Sequence, residues 1–229
     1  MNVCRVPGCN RSRRSPRSTM CEAHRQRWRR HGDPKQATIN QKELKPYIRY
    51  AEKLIRRNTS GKIEEALSRL KVILEASSKD TVADFYERGR AMRVFDVKAS
   101  NEILRVLAST DVTKPAVVIA AMFLLSLDQP HRFVSDRGFI FQLVRAFRSL
   151  SAVNVGSYYN HKTGKVHRAY KDMSPKVVET IGDVLVEHYN SWAARVVGRY
   201  RDERSQMEQT KKLLNEGFYS ISEATQRRA

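Results

Sequence analysis

The sequence predicts a mostly α-helical protein with a small N-terminal module, a helical body carrying one β-hairpin, and a long C-terminal helix. Three observations carry this expectation. Apolar residues recur at three- and four-residue steps through most of the chain after position 46. The period changes to two only around residues 153–170. All three cysteines of the 229-residue chain fall within its first 21 positions, too few and too clustered for a disulfide framework. The organisation implied is a module over 1–34, a linker over 35–45, a helical segment over 46–111, a hairpin-bearing unit over 112–173, and a final helix and tail over 174–229.

The N-terminal module is defined by Cys4, Cys9, Cys21 and His24. Four residues separate the first pair and two separate the second. Two close-spaced pairs of thiolate and imidazole ligands suit tetrahedral zinc, each pair binding from one turn. Pro7-Gly8 supplies a turn between Cys4 and Cys9. Thr19 to Glu22 has the Thr-x-x-Glu pattern of a capping box, so a helix is expected to start there and set Cys21 and His24 on one face. Gly32, Asp33 and Pro34 should end it. Trp28, four residues after His24, is expected to roof the metal. His31 is an alternative fourth ligand, but the Cys21-x2-His24 spacing fits better.

Cys4-Arg-Val-Pro-Gly-Cys9, Cys21-Glu-Ala-His24 and the exit Arg29-Arg30-His31-Gly32-Asp33-Pro34 resemble the short Cys/His zinc fingers of phage and mobile-element proteins, some of which precede HNH endonuclease domains. The resemblance covers about 31 residues. It implies nucleic-acid binding near the finger and transfers no reaction to the rest of the chain.

Charge points the same way. Forty-three Lys and Arg face 24 Asp and Glu, leaving +19; residues 1–62 alone hold 17 basic and 4 acidic side chains. Such a field attracts phosphates, and release of their counterions gives sequence-independent affinity. The competing readings are an anionic membrane surface, ribosomal RNA, or a merely soluble basic protein. In the finger the candidate contacts are Arg11, Arg13, Arg14, Arg17, Arg25, Arg27, Arg29 and Arg30. A basic helix adds Arg49, Arg56 and Arg57.

Further along, residues 33–45 read as a polar linker, with Pro46 as the first residue of a helix. Ile63, Leu67, Leu70 and Leu74 mark a packed helical face. Thr81 to Asp84 resembles a second capping box, predicting a new helix to about Val94, and another helix is expected near 99–109. Thr113-Lys114-Pro115 should open a helix that is apolar all round from Ala116 to Leu125, hence central. Ser135 or Asp136 should cap a helix to about Leu150, with Leu143 and Phe147 on one face and Arg137, Phe141, Arg145 and Arg148 on another. Val153, Val155 and Tyr159, then Gly164, then Val166 and Tyr170 predict a hairpin with Lys162 and Lys165 near its tip. Helices followed by a basic hairpin give the order of a winged helix, with Arg137, Arg145 and Arg148 as readers and the hairpin as wing. Ser174-Pro175 starts the last helix, striped by Val178, Ile181, Leu185, Tyr189, Trp192 and Val196 and expected to reach about Asn215.

Catalytic patterns are not legible. Asn160-His161 and His167 lack the histidine pair an HNH site needs. The acidic residues form no two-metal cluster. Tyr158, Tyr159 and Tyr170 have no Arg/His constellation around them. There is no secretion-type start, and the ten-residue apolar run at 116–125 is short of the roughly 20 that span a bilayer. Together these lead us to expect a cytoplasmic, non-enzymatic zinc protein that binds double-stranded DNA. The alternatives are an RNA-binding protein, or a helical scaffold whose C-terminal helix docks a protein partner.

Overall fold

The computed structural model describes residues 3–88, 94–151, 156–161, 164–169 and 172–226. Seven helices and one hairpin appear among them: α1 Glu22–His31, α2 Gln41–Arg56, α3 Lys62–Arg88, α4 Val94–Ala108, α5 Lys114–Asp128, α6 Asp136–Arg148, β1 Gly156–Asn160, β2 Lys165–Ala169 and α7 Pro175–Gln226. None of these helices is long and apolar enough to cross a membrane.

The all-round apolar run does become the centre. α5 packs against α2, α6 and α7, and Ile119, Ala120, Ala121, Met122, Leu124 and Leu125 have no exposed surface. Its start is tied to the last helix, where Trp192 Nε1 donates to the Ala116 carbonyl at 3.1 Å. Its end carries Asp128, a carboxylate where the helix dipole disfavours negative charge. Tyr200 and Tyr47 hydroxyls donate to Asp128 Oδ2 at 2.6 and 3.2 Å, and Arg204 pairs with Oδ1 at 2.8 Å. One side chain thus fastens α2, α5 and α7. Burial, aided by Asp128, pushes the Tyr200 phenol up to about 12, so it stays a donor over the whole physiological range.

Several boundaries differ from the sequence reading, each for a local reason. α2 begins at Gln41, not Pro46. Asn40 caps it by accepting from the Glu43 amide at 3.0 Å, and Pro46 sits inside the helix, where its missing N–H leaves the Lys42 carbonyl without the usual helical donor. The predicted break at Thr81 is absent because α3 runs unbroken to Arg88. Thr81 Oγ1 bonds back to the Ser77 carbonyl at 2.9 Å instead of capping. α7 continues through Gly217 to Gln226, 52 residues in all, or roughly 78 Å at about 1.5 Å per residue.

The close approach of α6 to α7 depends on Gly182. A Cβ built there would lie 2.3 Å from Ile140 Cγ2. Gly182→Ala should therefore lower stability by about 1–3 kcal/mol, the usual cost of overpacking. A denaturant melt of the variant checks this, and unchanged stability would mean that the two helices separate freely.

The hairpin pairs Gly156 with Ala169 through Asn160 with Lys165, and Gly164 turns it at a positive φ of 63°. Val153, Val155, Lys162 and Tyr170 lie outside the described residues. The hairpin follows α6 in the chain. The arginines of α6 do not form the single open face expected of a reading helix. Arg137 is turned onto the N-terminal module and Arg148 onto Glu102 of α4, while Arg145 is exposed.

Candidate metal centre and its basic surround

Backbone bonds fold the module before any side chain is considered. The Cys4 and Arg5 amides donate to the Arg11 and Thr19 carbonyls at 2.9 and 3.0 Å, and the Cys9 amide to Val6 at 3.1 Å, closing the Pro7-Gly8 turn. Gly8 takes a φ of 81° there. α1 then starts with Cys21 itself at the N-cap, so the capping box expected from Thr19 does not form. The four predicted ligands converge, and their donor atoms all lie within 4.8 Å of one another. His24 Nδ1 is 3.4 Å from both Cys4 and Cys21 Sγ, and Cys9 Sγ is 4.0 Å from Cys21 Sγ. Metal bonds of about 2.3 Å to sulfur and 2.0–2.1 Å to nitrogen put tetrahedral neighbours roughly 3.6–3.8 Å apart. The spacing and the donor set therefore fit one ion.

Electrostatics within the cluster favour ligation. Burial would raise the Cys4 thiol, but backbone hydrogen bonds at Cys21 and Val6 and the His24 ring outweigh it and bring it to about 6. Cys9 moves up: its hydrogen bond at Arg11 is overcome by burial and by the neighbouring Cys4 and Cys21 sulfurs. A cation would relieve that crowding by holding all three as thiolates.

Val6 and Met20, not Trp28, pack around the ligands. Trp28 faces the body instead, with the Arg137 guanidinium 4.2 Å above its ring and Phe141 on a second side of the same guanidinium at 4.7 Å. Arg137 also donates to the Gly32 carbonyl and, through Nε, to Glu179 at 2.7 Å. Gly32 is indispensable here. Its φ is 82°, and a Cβ would stand 2.6 Å from the Arg137 carbonyl. His31 is no ligand; Gln142 Nε2 lies 3.2 Å from its Nδ1. Burial, then Arg145, Arg27 and Arg30, lower the His31 pKa, so the ring is neutral at pH 7 and its Nδ1 can accept.

The stretch expected to be a loose linker is also pinned. Gln36, 1% exposed, donates to the Ala37 and Arg132 carbonyls and accepts from the Val134 amide at 3.0 Å, while Gln142 Oε1 accepts from Ile39. Sequence reasoning missed Gln36, Gln142 and the docking role of Gly32 and Arg137. Their partners lie about a hundred residues away, and nothing local marks them. The only signal was Gln142, a polar residue set between Phe141 and Leu143.

The basic residues sort by partner. Arg14 and Arg25 pair with Glu22 at 3.3 and 2.9 Å, Arg13 donates to the Ser18 carbonyl, Arg56 pairs with Glu52, and Arg57 with Glu203. Arg148 is held by Glu102, which also binds Arg105. Among the described residues Arg30 reaches only the exposed Asp172, at 3.8 Å. The side chains of Arg11, Arg17, Arg27, Arg29, Arg49 and Arg145 make no ion pair or hydrogen bond among the described residues. Lys162 falls outside these residues, and Lys165 opens β2.

The Glu102 pair has a pH signature. Burial would raise its carboxyl, but hydrogen bonds from Arg105 and Arg148 hold it below the usual range. A depressed carboxylate stabilises the fold above its unfolded value of about 4.3, and that contribution is lost as pH falls through the folded value. Glu102→Gln should cost about 1–3 kcal/mol at pH 7, and the gap from the native protein should narrow below pH 4. Melting curves from pH 7 to pH 3 measure it.

The class so defined is a small module whose Cys3His cluster could hold one metal ion, packed against a helical body. No family model matches the chain, and no curated protein or solved structure shows significant similarity to it.

Proposed function

We propose that the protein is a zinc-containing, double-stranded-DNA-binding protein of a phage or mobile element, serving as a regulator or as the DNA-binding subunit of a larger nucleoprotein machine. The observation that carries this reading is the convergence of Cys4, Cys9, Cys21 and His24 amid arginines of which Arg11, Arg17, Arg27 and Arg29 have no side-chain ion pair or hydrogen bond among the described residues. Arginines that stabilise nothing inside the protein remain available to phosphates. The finger's likeness to those of phage and mobile-element proteins supplies the biological setting. Base reading by α6 loses support, because Arg137 and Arg148 are engaged internally.

Fluorescence anisotropy with a random-sequence duplex, competed by duplex DNA and by structured RNA, tests the proposal. Tighter competition by DNA, with a steep fall in affinity as salt rises, is expected. Preferential competition by RNA would move the function to RNA.

A second reading has its own observation. Beyond Arg204 the last helix leaves the body, and Met207, Leu213 and Leu214 are exposed. Such residues on a protruding helix suit a protein partner, with the finger as nucleic-acid tether.

A further inference from the structure

We infer that the seam between α1 and α6 is a binding site for one backbone phosphate of duplex DNA, gripped jointly by Arg30 of the finger and Arg145 of the body. This rests on the DNA-binding reading and changes the role of Arg145 from base reader to phosphate ligand.

The seam is built rather than incidental. Gly32 touches the α6 backbone at Arg137, and Gln142 meets His31, so the last turn of α1 lies along α6. Arg145 follows Gln142 by three residues and therefore rises on the same side of α6, beside the end of α1. Docking thus brings Arg27 and Arg30 from one element toward Arg145 and Arg148 from the other. Few carboxylates answer them. Glu102 is shared between Arg148 and Arg105, and Asp172 reaches Arg30 only at 3.8 Å with most of its side chain in solvent. The Arg145 guanidinium is left with no ion pair or hydrogen bond among the described residues, although partial desolvation and its neighbours Arg148 and Arg30 both disfavour its charge. His31 stays neutral under the same field and adds no further cation.

A folded protein that gathers like charges loses stability unless an anion joins them. A phosphodiester fits this place. It carries one negative charge and accepts guanidinium hydrogen bonds from two sides. It would also bridge finger and body, so that the docked arrangement and the DNA-bound arrangement favour each other.

Three measurements on the full-length, metal-loaded protein test this. Arg145→Gln should flatten the plot of log affinity for random-sequence duplex against log salt by about 0.9, the slope of one phosphate contact. Arg30→Gln should do nearly the same, and the double variant should lose less than the two single losses combined. Without DNA at low ionic strength, Arg145→Gln should melt about 1–2 °C higher than the native protein, because repulsion of a few tenths of a kcal/mol is relieved. Tens of millimolar inorganic phosphate should raise the melting temperature of the native protein and not that of Arg145→Gln.

An Arg145→Gln variant with unchanged slope, or with a lower melting temperature in low salt, overturns the inference; the second result marks Arg145 as structural. Fully additive losses mean two separate contacts and overturn the shared site. If the native protein does not bind duplex at all, the DNA reading fails. The phosphate melting difference then still decides whether the seam holds an anion.

Discussion

Replacing Cys21 by Ser is expected to release the metal, unfold residues 3–34, and loosen α6 while leaving α2, α5 and α7 packed. Cys21 is both a donor atom and the N-cap of α1. Its loss therefore removes the ion and the start of the helix that docks on the body. Structural zinc sites of this donor type supply about 10–16 kcal/mol of apparent binding energy at neutral pH, far more than the few backbone bonds within the module can replace. The body has its own core around α5, so it should survive. The face it shares with the finger should not. With α1 gone, Phe141 and Gln142 lose their cover, and Arg137 loses Trp28 and the Gly32 carbonyl. Elemental analysis should find one zinc per native chain and none in the variant. Hydrogen exchange should speed up over 22–40 and in α6, with α5 unchanged. Native protein purified without chelator and free of zinc would refute the metal assignment. Unchanged exchange in α6 would show that docking does not depend on the metal.

How much of this was legible in the sequence depended on how local the signal was. The ligand set was readable because four rare donors at tight spacing leave little freedom, and the structure brings all four together. The central helix was readable because a run apolar on every side has only one place to go. Gly32 was placed correctly as a C-cap, but its second duty, letting α1 approach α6, depends on a backbone 105 residues away. The same distance explains why the packing of α6 was not legible. A stripe of Arg137, Phe141, Arg145 and Arg148 looks like a reading surface when the helix is considered alone. In the structure Phe141 is 2% exposed and meets the finger together with Arg137, while Arg148 turns to Glu102 and Arg145 stays exposed. An aromatic amid arginines was the clue that this face meets protein. The break predicted at Thr81 failed for a related reason: a capping-box pattern inside a long helix has a competing bond, here to the Ser77 carbonyl, that satisfies the hydroxyl without ending the helix.

The docked finger also dictates how its role in DNA binding must be tested. Deleting residues 1–34 would strip cover from α6, and any loss of affinity could then be blamed on misfolding. Charge has to be removed with the finger in place. Arg11, Arg17 and Arg29 are suited to this, since each is exposed and none has an internal partner among the described residues. Their simultaneous replacement by Gln should leave zinc content and melting temperature unchanged. If all three contact phosphates, the slope of log affinity against log salt should flatten by about 2.7, which near 0.1 M salt corresponds to a loss of roughly two to three orders of magnitude. Arg14 and Arg25 are the internal control. Both are already paired with Glu22, whose carboxyl is held down at about 2 chiefly by the Arg25 hydrogen bond. Replacing them should change the slope less and disturb the finger more. Equal effects on random and selected duplexes are expected from the triple variant, because phosphate contacts position a protein without reading sequence. A triple variant that binds with the native slope would take the finger out of the DNA interface. The exposed end of α7, with Met207 and Leu214, would then become the surface on which to look for a partner.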